Sequence, residues 1–558
     1  MTDFEMSELI YPEIDKDSNY YENLYPPRSL PAGAKVTRLG PSPTGFIHLG
    51  NLYGAFAGER LAHQSGGIFY LRIEDTDDKR YVENAVATVI ESLDFFGINF
   101  DEGVGKSGDV GNYGDYTQSH RGEIYRCFAK KLLTEGKAYP CFLSEKEIDE
   151  IRSEQERCKL TPGVYKGYSK YRDWQDDIDI EAEIIDRMKA GDPFVIRMKS
   201  SGTPNAEGED IHRYKFEDAI RGKLRLPENF QDIVIIKKTG IPTYHFAHVI
   251  DDHLMRTTHV VRGEEWLPSL PIHLELFKML GWQPPVYCHT AQLMKIDENG
   301  NKRKLSKRKD PELSLSYYRE TGYHPQAVRE YLLTILNSNY EEWRTDNPES
   351  SSDEFKFTTA KMSKSGALFD LNKLNDVSRD TLIKIDAGEL ASWLKDWSAE
   401  FAPEYDYVFE DMDYLRRILD IGRNGKKPRK DLVNAVQIMN YISYFWDRSF
   451  KIEDEYPSEA AGNAKLILEQ YLKTYDHGDD SGQWFDKIRS ISQDLGYAAR
   501  PKDFKKNPEG YNGHVGHVST VIRIALIGRM SSPDLWSIQQ IMGEEMVKRR
   551  IKAAIDSL

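Results

Sequence analysis

Apolar positions along the 558-residue chain change their spacing in ways that mark successive elements. KVTRL, residues 35–39, reads as a short strand, and GPSPTG, 40–45, as a turn. Leu49, Leu52, Phe56 and Leu61 then recur near helical spacing, and Gly66 and Gly67 close that helix. FYLRI, 69–73, is the next strand, so this region predicts a βαβ unit. From about 113 to 229 the pattern turns helical and irregular, with charged runs such as LSEKEIDEIRSEQER. DIVIIKK, 232–238, is a strand again, so the sheet is expected to start, leave for an insertion and resume. HFAHVIDDH, 245–253, looks partly strand-like, which would put His245 and His248 on opposite faces. After 311 the pattern is mostly helical, interrupted by a polar loop at 343–355. From about 382, segments such as DLVNAVQIMNYISYFWD and STVIRIALIGR predict a helical bundle. Residues 1–33 are an acidic extension whose prolines and Gly33 read as a linker.

Composition narrows the class. Hydrophobic residues make up 39% and charged residues 30%, as in a soluble globular protein. No apolar run reaches the roughly 18 residues a membrane helix needs. The acidic start has no apolar stretch, so neither a signal nor a transit peptide is expected and the location expected is cytoplasmic. Cysteines at 127, 141, 158 and 288 are too scattered for a disulfide framework. Lys and Arg total 75 against 90 Asp and Glu, a net charge of −15. That argues against a general nucleic-acid binder but leaves room for a basic face on an acidic body.

Three stretches carry candidate chemistry. GPSPTGFIHLGN, 40–51, places Thr44, Gly45, His48, Gly50 and Asn51 between a strand and a helix, where backbone amides favour an anion. The same residues also fit a plain βα turn capped by Thr44. KRKLSKRK, 302–309, holds six cations in eight positions and suits a mobile clamp for a triphosphate, or a solvated loop. KMSKS, 361–365, competes for that role. Glu74, Asp75, Asp77 and Asp78 form an acidic run that a solvated turn would also explain. His245 and His248 invite a metal reading, which the strand-like pattern disfavours.

Taken together, these strings resemble a known family. HLGN and KLSKR (304–308) are similar to the two signatures of class I aminoacyl-tRNA synthetases. RLGPSPTGFIHLGN, LRIEDTDDKRY, PTYHFAHVIDDHLM, THVVRGEEWLPSLPIHLELF and KLSKRKD resemble the bacterial-type glutamyl enzymes, strongly over 35–380 and more weakly to the end. The resemblance implies an α/β fold: a Rossmann-type class I synthetase catalytic domain with an inserted acceptor-binding domain, a stem-contact region and an all-helical C-terminal anticodon-binding domain. The expected segments are 1–33 for the extension, 34–112 and 230–310 for the Rossmann halves, 113–229 for the insertion, 311–381 for the stem contact and 382–558 for the helical domain. The resemblance selects KLSKR over KMSKS as the catalytic loop. The bare sequence adds that the helix YHPQAVREYLLTIL and the polar loop would carry 361 away from the sheet. A tRNA contact by Lys364 is a secondary expectation.

The resemblance also implies a site. Arg38 and Arg262 face the carboxylates of L-glutamate, with Arg38 preferred for the side chain. Ser42 adds a hydroxyl, Glu74 takes the ammonium, and Tyr244 and His248 line the pocket. His48, Lys304 and Lys307 stabilise phosphate charge, and Thr44, Gly45, Gly50 and Asn51 complete the ATP site. Asn51 replaces the second His of the signature, and Gly40 replaces the usual Ala, a change read as minor. A zinc knuckle found in some relatives would fall on Tyr139, Cys141, Tyr165 and Ser169, where two thiolates are missing, so no zinc is expected. ATP with Mg²⁺ is the implied cofactor set. The implied partner is tRNA-Glu, read through Arg423, Lys426, Lys427, Arg429 and Lys430 in the basic stretch 416–430. Whether tRNA-Gln is also charged stays open, and a monomer with no membrane contact is expected. The basic segment 500–517 has no assigned role. Competing readings are a glutaminyl enzyme, a nucleotidyltransferase of small substrates and a non-catalytic RNA-binding paralogue.

Overall fold

The computed structural model describes residues 1–43, 47–77, 85–203, 212–423 and 428–558. The N-terminal extension is built rather than free. Thr2 and Glu5 cap each other at the start of α1 (Asp3–Ile10). Asp17 caps α2 (Ser18–Leu24). The stretch read as a linker is held as well: Arg28 makes a two-pronged bond to Glu102 at 2.8 and 2.9 Å.

The parallel sheet begins as the spacing predicts. β1 (Val36–Leu39) passes through α3 (Leu49–His63) to β2 (Ile68–Leu71), which runs parallel to it. Leu49, Leu52 and Phe56 are buried on one face of α3, because positions three and four apart share a helix side. After α4 (Ala85–Phe95), β3 (Glu102–Gly103) adds to β2, again parallel.

The chain then leaves through α5 (Gly122–Thr134), onto which α1 packs; Lys130 Nζ donates to the carbonyls of Tyr11 and Ile14 at 3.0 and 2.9 Å. β4 (Ala138–Cys141), α6 (Glu145–Arg157), α7 (Ile178–Lys189) and β5 (Val195–Met198) follow. Next come the hairpin of β6 (Arg213–Asp218) and β7 (Gly222–Pro227), and then β8 (Val234–Ile236). The strand read at 232–238 exists, but it does not rejoin the parallel sheet. β8 pairs antiparallel with β5 in a separate sheet ordered β4-β5-β8.

The expectation for 245–253 is corrected: Tyr244–Leu254 is a helix, α8. Phe246, Ala247, Val249, Ile250 and Leu254 are all fully buried, a 3.6-residue pattern that the β-branched Val249 and Ile250 disguise. The parallel sheet resumes at β9 (His259–Gly263), which α9 (Leu270–Leu280) connects to the parallel β10 (Val286–Thr290). Thr258 N donates to Val36 O at 3.0 Å, so β9 begins beside β1. Along the layer the order is β3, β2, β1, β9, β10, and β1 with β9 mark the point where chain order reverses. A crevice at the carboxyl ends of such strands is where open α/β sheets bind ligands.

β11 (Leu293–Ile296) and β12 (Lys302–Lys304) form an antiparallel hairpin. α10 (Leu315–Thr321), α11 (Pro325–Leu336) and α12 (Tyr340–Asp346) follow. The first part of the expected polar loop is therefore helical. Its second part is anchored on α3: Asp353 pairs with Arg60, and Gln64 Nε2 donates to Phe355 O at 2.6 Å. That anchoring returns the chain to the hairpin, where β13 (Ala367–Leu368) pairs in parallel with β11. KMSKS is thus not carried away from the KLSKR loop; the two lie at opposite edges of one small sheet, ordered β12-β11-β13.

The chain divides into two compact units, residues 1–317 with 329–370, and 318–328 with 371–558. From α13 (Leu371–Leu382) onward every regular element among the described residues is helical. This unit has its own core, in which Leu390, Leu394, Leu415, Ile438, Ile467, Val521 and Ile551 are all fully buried. No helix among the described residues is long and apolar enough to cross a membrane.

Candidate active site

One cleft lies at the carboxyl ends of β1 and β9. Arg38, Arg262, Trp266, His48, Asn51 and Lys304 are among the residues that line it. Gly40 follows β1 and Gly263 ends β9, and a carboxylate fills the space beside each. A Cβ on Gly40 would collide with Glu74 Oε1, and one on Gly263 with Glu265 Oε2. Gly40, where the resemblance has Ala, leaves that space to the flexible end of the Glu74 side chain. Glu265, which also lines the cleft, is not among the residues the resemblance singles out.

The two arginines are held differently. Arg38 donates to Asp252 at 3.2 Å and to His248 Nδ1 at 3.2 Å. The fully buried Arg72 donates to the same Asp252 at 2.7 Å and to Glu74 at 2.9 Å. Burial opposes the Arg38 charge, but Asp252 outweighs it and the pKa ends above the ordinary arginine value. Arg38 thus comes with a carboxylate of its own. Arg262 is held by uncharged acceptors: Nε donates to His289 Nε2 at 3.0 Å and Nη1 to His273 Nδ1 at 3.2 Å. Its Nη2 is buried without a hydrogen-bond partner. A buried charged donor left open on a cleft wall suits an incoming carboxylate.

His248 is corrected in position: it does not line the cleft but lies behind Arg38, fully buried, with Nε2 3.1 Å from Tyr287 OH. Burial first, and then the charges of Arg262, Arg38 and Arg72, push its pKa far down, so the ring is neutral. Tyr244 packs at a tilt against Trp266, with ring centres 4.6 Å apart, and receives a long bond from Arg262 at 3.5 Å. Ser42 is exposed on the loop after β1.

Elsewhere on the cleft, His48 is the N-cap of α3. Its Nδ1 accepts from Asn51 N at 3.3 Å, while Asn51 Oδ1 accepts from His48 N at 3.1 Å. Asn51 therefore completes a reciprocal cap. With Nδ1 accepting, the proton of the neutral ring sits on Nε2 as a donor. Burial lowers the His48 pKa, Glu265 opposes this and Lys304 adds to it, which keeps the ring neutral. Gly50 lines the cleft; Thr44 and Gly45 lie outside the described residues.

Lys304 reaches the cleft from the end of β12. Lys307 is exposed on the following turn and does not line it. Arg303 makes a two-pronged bond to Asp310 at 2.6 and 2.7 Å, which staples the loop closed. In KMSKS, Met362 is buried as an anchor, whereas Lys361 and Lys364 are exposed.

Two further sets were expected. Tyr139 donates to Asp232 at 3.1 Å, Cys141 packs in the core of the insertion, and Tyr165 donates to Thr161 O at 3.0 Å, so these positions are interior. Among the described residues no group of three or more His, Cys, Asp or Glu is arranged to hold a metal. In the basic stretch, Arg423 is corrected: it is buried and donates to the carbonyls of Leu382, Ile383 and Ile385 at the end of α13. Arg429 pairs with Asp431 and covers the Tyr441 ring, and Lys430 pairs with Asp380 at 2.6 Å. Lys426 and Lys427 lie outside the described residues.

Residues 35–376 match the family described as tRNA synthetases class I (E and Q), catalytic domain, and 502–555 match an anticodon binding domain. The chain is 58% identical to a glutamate–tRNA ligase of Acetivibrio thermocellus over 98% of both chains. It is 48% identical to one from Clostridium perfringens over 98% of this chain and 99% of that one. A crystal structure of a glutamate tRNA ligase from Elizabethkingia meningosepticum, in complex with its amino acid, superposes with a TM-score of 0.75 at 28% identity, covering 94% of this chain and 99% of that one. With the cleft described above, these likenesses lead to one conclusion: the chain belongs to the class I tRNA synthetases of the E and Q type, and among them to the bacterial-type glutamyl-tRNA synthetases.

Proposed function

We propose that the protein attaches L-glutamate to tRNA-Glu at the expense of ATP. The observation that carries this is the cleft itself. It brings together guanidinium groups from β1 and β9, a neutral histidine donor and a lysine. That pairing suits an amino acid with two carboxylates beside a triphosphate. Arg38 and Arg262 take the carboxylates, and Glu74 and Glu265 receive the ammonium. An α-carboxylate oxygen attacks the α-phosphorus, the bond to pyrophosphate breaks, and glutamyl-adenylate forms. The attacking group is already ionised, so no protein nucleophile is needed. His48 Nε2–H and the Lys304 ammonium stabilise the charge that develops on the phosphate oxygens, and Mg²⁺ carried by the ATP would add to that stabilisation. A terminal ribose hydroxyl of tRNA then attacks the acyl carbon, and AMP leaves with the hydroxyl proton.

The insertion 113–229 is proposed to hold the acceptor end, 311–381 to contact the stem, and 382–558 to read the anticodon. The protein is proposed to act as a cytoplasmic monomer. Charging of tRNA-Gln as well is the second reading within the same chemistry. The test is aminoacylation of total bacterial tRNA with labelled glutamate or glutamine, followed by separation of the charged species. Glutamate on tRNA-Glu alone is the expected result. Glutamate on both tRNAs indicates an enzyme that does not discriminate. Glutamine as the sole amino acid charged overturns the assignment of the pocket.

A further inference from the structure

Arg262 is set in place by residues from three parts of the chain, one of them distant. An arginine Nε–H can only donate, so the 3.0 Å contact makes His289 Nε2 an acceptor. The ring proton must then sit on Nδ1, which faces Asp218 Oδ2 at 2.6 Å. His289 and Asp218 are both buried, at 0% and 1% exposure. The same logic on the other side puts the His273 proton on Nε2, donating to His245 Nδ1 at 3.0 Å.

Asp218 ends β6 in the hairpin, well before β9 in sequence. Its Oδ1 also accepts from the amides of Ile220 and Arg221 at 3.0 and 2.9 Å, and Ala219 N donates to Tyr287 O at 2.9 Å. The hairpin is thus tied to β10, which carries His289. Burial pushes the His289 pKa down, the Asp218 bond opposes this and Arg262 adds to it; the net lowering keeps the ring neutral.

We propose that Asp218 is a positioning residue for the amino-acid pocket: by keeping the His289 proton on Nδ1, it makes Nε2 an acceptor for Arg262 Nε–H and turns the open Nη2 edge toward the substrate carboxylate. A carboxylate in direct contact would fix the guanidinium equally well but would offset part of its charge. A neutral imidazole between them supplies the orientation and leaves the charge for the ligand. This inference rests on the reading of Arg262 as a carboxylate ligand.

The test is tRNA-Glu charging at varied glutamate and varied ATP. In Asp218→Asn, the amide oxygen still accepts from Ile220 and Arg221, so the turn holds. The amide NH₂ now faces His289 Nδ1, which forces the ring proton onto Nε2 against Arg262 Nε–H. The expected result is a rise of about tenfold or more in KM for glutamate, the size of one lost charged hydrogen bond, with KM for ATP and kcat nearly unchanged. In Asp218→Asn/His289→Gln, the glutamine carbonyl can accept from Arg262 whatever stands at 218, and KM returns toward that of His289→Gln alone. An unchanged glutamate KM in Asp218→Asn, alongside a raised one in Arg262→Lys, overturns the relay and leaves the Arg262 reading standing. An unchanged KM in Arg262→Lys overturns that reading instead. If Asp218→Asn does not fold, His289→Gln is compared with the non-accepting His289→Leu. A higher KM in the leucine variant supports the relay, and equal values overturn it.

Discussion

At the scale of single residues, space and charge decide the amino-acid pocket together. Gly40→Ala puts a methyl where Glu74 Oε1 sits, and Glu74 is tied to the fully buried Arg72, so its carboxylate must shift against that bond. KM for glutamate is expected to rise by about tenfold, as for one charged hydrogen bond lost, while KM for ATP holds. An unchanged glutamate KM would show that Glu74 has another place to go. Arg38, Arg262 and His48 were legible as residues of one cleft because family strings surround each of them. Asp252, His273, His289 and Asp218 were not. Their roles arise from contacts between segments far apart in sequence, and a lone aspartate in HFAHVIDDH or RYKFED reads as surface until its burial is known. His248 was legible as a neighbour but misplaced, because sequence spacing does not separate a cleft wall from the layer behind it.

At the scale of elements, the two basic motifs share a sheet but not a task. Lys304 leaves β12 into the cleft, whereas KMSKS enters β13 with Met362 buried and its lysines exposed. Lys304→Ala is expected to lower kcat by roughly a hundredfold, the scale for one lost donor to a developing oxyanion, and Lys364→Ala to leave kcat within about twofold. A large kcat loss in Lys364→Ala, with Lys304→Ala near normal, would reverse the assignment. The loop between Lys304 and Asp310 depends on the Arg303 staple. The Arg303 bond, working against burial, holds the Asp310 carboxyl well below the usual carboxylate range. A depressed carboxylate stabilises above its unfolded pKa of about 4 and loses that contribution only as pH falls through the folded value. The staple is therefore intact at any pH above about 5, and an acid limb in the kcat profile near neutrality should persist in Asp310→Asn. Disappearance of that limb would assign it to the staple. The strands β1 and β2 and the helix between them were readable from spacing alone. The pairings of β8 and β13 were not, because strand partners depend on long-range return of the chain rather than on local pattern.

At the scale of the whole molecule, the units do not follow a single cut in the sequence. Segment 318–328 belongs to the helical unit although residues 329–370 do not. Within that unit Trp397 Nε1 donates to Arg319 O at 3.0 Å, Ala435 N to Gly322 O at 2.8 Å, and Tyr323 OH to Asn375 Oδ1 at 2.6 Å. Tyr318, Tyr323 and Val328 are buried there as well. A boundary near 382, where the helical pattern becomes continuous, captures the bundle but not this returning segment. A fragment of 371–558 keeps the core of the unit yet strips those acceptors, leaving the Trp397 indole and the Ala435 amide without partners. A fragment of 318–558 keeps them and carries 329–370 as a loop, whose closure entropy grows only slowly with length. Each buried donor left unmatched costs about 1–3 kcal/mol, and lost apolar burial adds to that. The longer fragment is therefore expected to melt several degrees higher, by about 2–4 °C per kcal/mol at this size. Circular dichroism melts of the two fragments decide it. Equal midpoints would mean that 318–328 adds nothing to the helical unit, and that its bonds to Trp397 and Ala435 are replaced by water without cost.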